Sequence, residues 1–280
     1  MGNLLEDASR AAGNVATQAA PWVERLARVG FAANALTYIV IGALAAQAAA
    51  GRGGRMTDMR GAFRAVLERP FGRGVLIVLA VGFFGYAIWA LVEAVVDPER
   101  RGTTPKGIAL RIGDVGSALI HGALGLAALH LARGGVGGGD NTEQLTARAL
   151  ALPYGEWLVV AAGAGVICFG LYELYLAFTA QVSDHLDLHA LSAEAERWAL
   201  RVSRFGIAAR GIVFGIGGGH LIRAALRHDP SEAADLGDSL RAVRSGQYGD
   251  WLLGVVAAGL IAYGIYQLVH ARYRRITPAA

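Results

Sequence analysis

Six stretches of almost continuous apolar residues alternate with shorter polar segments along this chain. They cover roughly residues 29–50, 74–96, 112–132, 156–180, 205–225 and 250–270. Each is about 20 residues long, which at ~1.5 Å rise per residue lets an α-helix cross a ~30 Å hydrocarbon layer. Helices of a soluble protein keep one polar face, whereas these stretches are apolar all round. The pattern predicts an all-α polytopic membrane protein with six transmembrane helices.

The odd-numbered helices share one pattern of residue types that recur in steps of four. In the fifth helix Arg204 opens a frame that continues with Gly206, Arg210, Phe214 and Gly218. The frame recurs after Arg28 as Gly30, Asn34, Tyr38 and Gly42, and after Arg111 as Gly113, Ser117, His121 and Gly125. Residues four apart share one helix face, so each odd helix carries a stripe of glycine, polar residue, ring and glycine. We expect the six glycines of this packing stripe, Gly30, Gly42, Gly113, Gly125, Gly206 and Gly218, to let helices approach closely.

The even-numbered helices carry a second frame in register with the first. An aromatic–glycine pair precedes each of them, at residues 71–72, 154–155 and 248–249. One face of each helix then carries a glycine followed by two aromatic residues, namely Gly82, Tyr86 and Trp89, Gly165, Phe169 and Tyr172, and Gly259, Tyr263 and Tyr266. Two frames in register predict three tandem helix–loop–helix repeats with pseudo-threefold symmetry. The predicted divisions are a soluble lead-in (1–27), repeat 1 (28–100), repeat 2 (111–181), a linker (182–203) and repeat 3 (204–275).

The loop inside each repeat predicts a short helix that lies in the membrane interface. Residues suited to cap a helix N-terminus, at positions 57–58, 141–142 and 235, precede about ten residues of helical character. These segments end just before the aromatic–glycine pair of the next spanning helix. Short amphipathic helices of this kind lie flat at the membrane surface.

The repeats resemble a bacterial membrane family catalogued as domain of unknown function 1206. The resemblance rests on the run Arg204-Phe-Gly-Ile-Ala-Ala-Arg-Gly-Ile-Val-Phe, on Arg69-Pro-Phe-Gly-Arg and on the three-unit layout, and it covers about residues 24–275. Repeat 3 is the most similar, while Asn34 and Ser117 replace Arg210 in the other two. The resemblance implies three two-helix repeats in a bacterial inner membrane. It implies no activity, substrate or catalytic residue.

Composition and charge exclude several functional classes. The 280 residues are 54% hydrophobic and 17% charged, and the net charge is +4. With a single lysine and no basic–aromatic pattern, a nucleic-acid partner is not expected. Cys168 is the only cysteine, so no intrachain disulfide forms.

No apolar signal-peptide core is visible near the N-terminus, which favours a cytoplasmic N-terminus. The six predicted spans place the C-terminus on the same side as the N-terminus. Lysine and arginine residues number 13 on that side and 12 on the other, so the positive-inside rule does not decide the orientation.

Ionisable and polar residues within the predicted spans are the candidate site. Charged groups are costly in lipid and usually face protein or water. On the side of the termini they form a predicted polar vestibule of Asn34, Ser117, Arg210, Asp114, Glu173, Glu93 and His121. Arg210 lies six residues beyond Arg204, about 9 Å of helix rise, so it is too deep for a flanking charge. We expect it to pair with Glu173, or otherwise with Asp114.

Metal, haem and catalytic sites find little support in the sequence. His121 and His130 lie on opposite helix faces, whereas a haem held by His121 and His220 is geometrically feasible. His185 and His189, flanked by aspartates in the linker, have metal-ligand spacing but also the composition of a solvated loop. No phosphate-binding loop or nucleophile motif is present. No cofactor or metal is therefore expected.

The functional hypothesis is a non-enzymatic membrane module. It would contact membrane lipid and bind a partner protein, a lipid or an apolar ligand. One alternative is a transporter or channel that uses the vestibule around Asn34, Ser117 and Arg210. Another is an enzyme of lipid or quinone chemistry.

Overall fold

The protein is described by a computed structural model that covers residues 2–97, 102, 104–135, 141–179 and 192–273, with side chains from residue 24 onwards except those of residues 106 and 141. Every regular element in these ranges is helical. The elements are α1 (Gly2–Ala49), α2 (Met59–Leu67), α3 (Gly72–Val96), α4 (Pro105–Ala132), α5 (Asn141–Leu150), α6 (Gly155–Thr179), α7 (Ala193–Arg227), a 3-10 turn (Pro230–Glu232), α8 (Leu236–Arg244) and α9 (Gly249–Tyr273).

Six of these helices are long and apolar enough to cross a membrane. They are Glu24–Ala49 within α1, Gly72–Val96, Gly107–Ala132 within α4, Gly155–Thr179, Ala193–Arg227 and Gly249–Tyr273. This confirms the predicted all-α polytopic architecture, with one odd and one even spanning helix in each repeat. The short helices α2, α5 and α8 stand between the two spans of repeats 1, 2 and 3 respectively.

The caps predicted for the short helices are present in repeats 1 and 3. The Asp58 side chain accepts a hydrogen bond from the Gly61 amide at the start of α2. Asp235 and Asp238 form a reciprocal capping box at the start of α8. Side-chain caps satisfy amides that have no partner within the helix and so fix its first residue. In repeat 2 the helix begins at Asn141, whose side chain is outside the described set.

The aromatic–glycine pairs mark the sharp turns from the short helices into the even spans. A Cβ added at Gly72 would lie 2.2 Å from the Val66 carbonyl oxygen, and one at Gly249 would lie 1.6 Å from that of Arg244. Only glycine fits such a close backbone approach. The preceding Phe71 is 90% exposed, as expected for a ring at the membrane interface.

The arginine that opens each repeat binds the C-terminal end of an even helix from another repeat. Arg28 donates to the carbonyl oxygens of residues 271 and 272 at the end of α9. Arg111 donates to those of residues 94 and 95 in α3, and Arg204 to those of residues 177 and 178 in α6. A cation at a helix C-terminus satisfies carbonyls that have no partner and complements the helix dipole. The three contacts link repeat 3 to 1, repeat 1 to 2 and repeat 2 to 3.

The glycine stripe packs at the same seams between repeats. The second glycine of each stripe meets the even helix of another repeat, as in Gly42, where an added Cβ would lie 2.7 Å from Ile261 of repeat 3. A Cβ added at Gly218 would lie 2.7 Å from Ile167, and one added at Gly125 would lie 3.0 Å from the Phe84 ring. These contacts agree with the packing role expected for the stripe.

The helix pair of repeat 2 departs from the expected packing. The spanning helices pack side by side in the order α4, α3, α1, α9, α7 and α6. Helices α4 and α6 are therefore the first and last members of this series. Gly30 and Gly206 lie against Tyr86 and Tyr263 of their own repeats, but a Cβ at Gly113 would meet nothing within 4 Å. The packing expectation for Gly113 is therefore wrong, because α4 packs on α3 while α6 packs on α7.

Two predicted boundary segments are helical in the described part of the chain. Helix α1 runs without interruption from Gly2 into the first span, so the predicted lead-in forms the first part of the same helix. Residues 193–203 of the linker form the first turns of α7, which Ser192 caps. The histidine pair at positions 185 and 189 lies outside the described residues.

Candidate functional site

Arg210 and Glu173 form an ion pair between α7 and α6. The Nε atom of Arg210 lies 2.9 Å from Oε2 and 3.1 Å from Oε1 of Glu173, and Nη2 donates to Oε1 as well. The two side chains are only 13% and 8% exposed. The backbone of α7 approaches α6 closely here, because Gly170 and Gly211 face each other without side chains. The pairing expected from the sequence is present.

Four aromatic rings surround the guanidinium of Arg210. Its Cζ lies 4.2 Å from the ring centroid of Tyr263, 5.0 Å from that of Phe214 and 5.4 Å from that of Phe169. The fourth ring is Tyr38, whose hydroxyl accepts a 3.5 Å hydrogen bond from Nη1. A cation over aromatic faces is stabilised by the ring quadrupoles, more so when water is excluded. The guanidinium is thus held by one carboxylate and an aromatic cage.

Asn34, Ser117 and His121 form a second polar cluster, between α1 and α4. Nδ1 of His121 lies 2.7 Å from the Ser117 carbonyl oxygen, and the Ser117 hydroxyl is 3.3 Å away from the same nitrogen. A carbonyl only accepts, so Nδ1 carries the proton and Nε2 accepts a 3.0 Å hydrogen bond from the Asn34 amide. The ring of His121 also stacks on Tyr86, with centroids 4.1 Å apart.

The two clusters adjoin because Asn34 and Tyr38 are one turn apart on α1. The structure brings five of the seven predicted vestibule residues into these clusters, namely Asn34, Ser117, His121, Arg210 and Glu173. Glu93 is buried on α3 and Asp114 is half-buried on α4. Arg210 therefore takes the first of the two partners predicted for it.

A cavity of about 170 Å³ lies beside the ion pair. Its lining is mainly aromatic and consists of Phe31, Tyr86, Phe169, Tyr172, Glu173, Leu176, Ile207, Arg210, Tyr263, Tyr266, Gln267 and His270. These residues come from α1, α3, α6, α7 and α9, and none of the described α4 residues lines it. Phe31 packs against Tyr86 and His270 with ring centroids 5.2 and 5.3 Å apart, so these three rings form one wall of the cavity.

Most of these lining residues were absent from the sequence-based site. The even-helix frame did contain a usable signal, since it places Tyr86, Phe169 and Tyr263 at one repeat position and Tyr172 and Tyr266 at another. Rings that recur at one helix face in every repeat converge where the three repeats meet. Gln267 occupies the position in α9 that Glu173 occupies in α6, so it was identifiable by the same alignment of repeats.

Metal and haem ligation find no geometric support in the described residues. No group of three or more His, Cys, Asp and Glu side chains lies close enough there to hold a metal ion. Both ring nitrogens of His121 are engaged in hydrogen bonds. Binding a haem iron through His121 would break the contact with Asn34.

Comparison with known proteins assigns the family. The family model described as Domain of Unknown Function (DUF1206) matches three times, over residues 29–97, 112–180 and 205–274. The chain belongs to this family. It is also similar to the uncharacterized protein YxxB of Bacillus subtilis (strain 168), with 31% identity over 257 residues that cover 92% of this chain and 93% of the relative. No solved structure matches the chain.

The three DUF1206 matches each take in one odd helix, one short helix and one even helix. Their limits follow the three repeats seen in the sequence. In this DUF1206 protein the two polar clusters and the cavity lie where the three repeats meet. The candidate site therefore depends on all three repeats and not on any single one.

Proposed function

We propose that this membrane protein binds an amphipathic lipid, whose polar head enters the aromatic cavity beside Arg210 and Glu173. The proposed role is binding without a chemical reaction, which makes the protein a non-enzymatic module. One observation carries it: a cavity within the membrane-spanning bundle combines six aromatic rings with an internally neutralised ion pair. Concave sites with apolar walls and a few converging polar groups are typical of small-molecule binding.

The charges of the cavity favour a head group without net charge. Glu173 neutralises Arg210, so an anionic head would find no uncompensated cation there. The hydroxyls of Tyr172 and Tyr266 and the amide of Gln267 add hydrogen-bonding groups to the lining. Tyrosine suits a site that is apolar on one side and polar on the other. A zwitterionic or uncharged polar head fits these partners.

The size of the cavity restricts the ligand to a compact group. A volume of about 170 Å³ is well below the ~300–1,000 Å³ of sites that enclose a whole drug-sized molecule. At ~30 Å³ for each water it has room for about five or six water-sized groups. A head group or a single ring fits, and the apolar remainder of the molecule has to leave the cavity.

Native mass spectrometry of the protein extracted in mild detergent tests this proposal. We expect a reproducible lipid adduct, identified by fragmentation, that weakens in Tyr172→Ala and Tyr266→Ala. Tyr175→Ala is a matched control, since Tyr175 lies on the same helix as Tyr172 but is 54% exposed and does not line the cavity. A wild-type protein without any adduct, or with a bound protein instead, contradicts lipid binding.

Transport through the vestibule is the alternative, and the same preparations separate it from binding. The observation in its favour is the hydrogen-bonded chain from Asn34 to His121, which extends polar groups one turn deeper than Arg210. Reconstituted vesicles are assayed for flux of protons, common ions and small anions. Flux that disappears in Asn34→Leu supports transport, and its absence in the wild type supports binding alone.

We further propose that the protein lies in the bacterial plasma (inner) membrane with both termini in the cytoplasm. The described residues contain six spans, and an even number puts the two ends of this span series on one side of the membrane. The similarity to a protein of Bacillus subtilis supports a bacterial membrane. Reporter fusions at the C-terminus test the orientation: a fluorescent protein becomes fluorescent and a periplasmic phosphatase stays inactive if the proposal is right.

A further inference from the structure

Repeats 1 and 3 close the interface between their own odd and even helices, and glycines make that closure. A Cβ at Gly82 would lie 2.8 Å from the Cβ of Ala33, and one at Gly259 would lie 2.2 Å from that of Ala209. Because the repeats are aligned, the corresponding pair in repeat 2 is Gly165 and Gly116. A Cβ at either of these meets nothing within 4 Å. Repeat 2 thus has the residues for closure, but its two helices stand apart.

Side-chain exposure traces the same cleft between α4 and α6. Ile120 is 60% exposed, whereas its equivalents Thr37 and Val213 are 2% and 1% exposed. On the opposite wall Cys168 is exposed, while its equivalents Gly85 and Ala262 are buried. Since both helices have the length and composition of spans, the cleft opens sideways towards the bilayer.

The cleft leads to the aromatic cavity. Phe169 and Tyr172 line the cavity from α6, yet they are 45% and 42% exposed, so the cavity is uncovered on their side. Across from them stands Tyr86 of α3, with His121 of α4 stacked behind it. In repeat 3 the equivalent position is covered, as Tyr263 is only 4% exposed.

We propose that the cleft between α4 and α6 is the lateral entrance through which a membrane lipid reaches the cavity, with its acyl chain remaining in the cleft. This inference rests on the proposed lipid-binding function. The cavity holds only a head-group-sized part of the molecule. The cleft offers an apolar path from there into the bilayer, between Ile120 on one wall and Phe169 on the other. An acyl chain matches both the apolar walls and the surrounding phase.

Photo-crosslinking with a defined lipid tests the entrance. The protein is reconstituted into vesicles of phosphatidylethanolamine and phosphatidylglycerol that contain a trace of phosphatidylethanolamine with a diazirine in its acyl chain. After irradiation, labelled peptides are mapped by mass spectrometry. We expect labelling of the α6 peptide around Phe169 in the wild type. Gly116→Trp and Gly165→Trp, which fill the cleft, should lower it about tenfold, equivalent to ~1.4 kcal/mol of binding free energy.

Gly219→Trp is the matched control for these variants. Gly219 also has open space around it, but it lies on α7 and not on either wall of the cleft. It should leave the labelling unchanged. Because a Cβ at any of the three positions meets no atom within 4 Å, all three proteins should fold, which thermal unfolding checks.

Alkylation of the native Cys168 provides a test that needs no cleft variant. A bulky maleimide attached to this thiol occupies the cleft wall and should reduce labelling in the same way. If the filled or alkylated proteins label as strongly as the wild type, the entrance is overturned while lipid binding stands. If the wild type is not labelled around Phe169 although native mass spectrometry shows a lipid adduct, the entrance alone is overturned. If it shows neither the label nor an adduct, the proposed function itself is overturned.

Discussion

The carboxylate of Glu173 receives hydrogen bonds from two nitrogens of Arg210, across an interface where α6 and α7 are in backbone contact. Replacing Arg210 by leucine leaves this carboxylate buried without its countercharge. We expect a loss of about 3–5 kcal/mol in the free energy of unfolding, since breaking a buried pair strands a charge. Adding Glu173→Gln should restore part of that loss. Denaturant unfolding of the single and double variants in micelles measures both effects.

Arg223→Leu is the control for the Arg210 variant. Arg223 pairs with Glu232 on the surface, and the Arg223 side chain is 53% exposed. The substitution should therefore lower the free energy of unfolding by no more than ~1 kcal/mol. An Arg210→Leu protein as stable as this control would show that the buried ion pair is dispensable.

The arginine at the start of repeat 2 should stabilise the junction with repeat 1. Arg111→Leu deprives the carbonyls of Ala94 and Val95 of their charged donor. We expect a loss of ~1–2 kcal/mol in the free energy of unfolding, less than the ~1.5–3 kcal/mol of hydrogen bonds to charged groups, because the site is partly exposed. Hydrogen exchange should increase at the end of α3 in particular. Arg73→Leu, at an exposed position at the other end of α3, should change stability by less than ~0.5 kcal/mol.

One glycine position should respond differently in the three repeats. Gly82→Leu and Gly259→Leu force a side chain into Ala33 and Ala209, so each should destabilise the protein by ~1–3 kcal/mol or more. Gly165→Leu meets open space and removes a glycine from a helix interior, so it should be neutral or stabilising by up to ~1 kcal/mol. Thermal unfolding of the three variants compares them directly. Equal destabilisation by all three would mean that α4 and α6 are closed.

Asn34 should be coupled energetically to His121. Asn34→Leu removes the hydrogen-bond donor to Nε2 of His121, whose Nδ1 is bonded elsewhere. The free energy of unfolding should fall by ~1–3 kcal/mol. In the His121→Phe background, which copies the ring of repeat 3, the same change should cost clearly less. A double-mutant cycle measures this coupling. Gln47→Leu, at an exposed position further along α1, is the control, and identical losses in both backgrounds would exclude coupling.

The sequence alone predicted the architecture and the ion pair between Arg210 and Glu173, because depth in a span and spacing along a helix can both be counted from it. A charge as deep in a span as Arg210 needs a partner at matching depth, and counting residues from the helix ends identified Glu173. Glycines at helical spacing mark close helix contacts, which located the packing of Gly42, Gly125 and Gly218. Both arguments use only positions along single helices.

The open repeat was not predictable by such arguments. Gly113 and Gly165 sit in the same frames as their packed equivalents, and nothing local distinguishes them. Whether α4 packs on α6 or on α3 depends on the sum of contacts across the bundle, such as Gly125 on Phe84. Aligning the repeats marks the recurring rings of the even helices as candidates, but the cavity as a whole was missed. Its lining also includes Phe31 of α1 and Ile207 of α7, which no argument along a single helix brings together with those rings.

The arginine contacts also set an order for assembly during biosynthesis. Of the three arginines Arg28 emerges from the ribosome first, but its partners, the carbonyls of Ala271 and Arg272, belong to α9 in repeat 3. The first repeat therefore enters the membrane with one contact surface that its nascent neighbours cannot cover, and this surface is covered only after α9 has been synthesised. A chain that lacks α9 would retain that uncovered surface, with the aromatic face of Phe31 and Tyr38 accessible to chaperones, proteases or the same helix supplied by another copy.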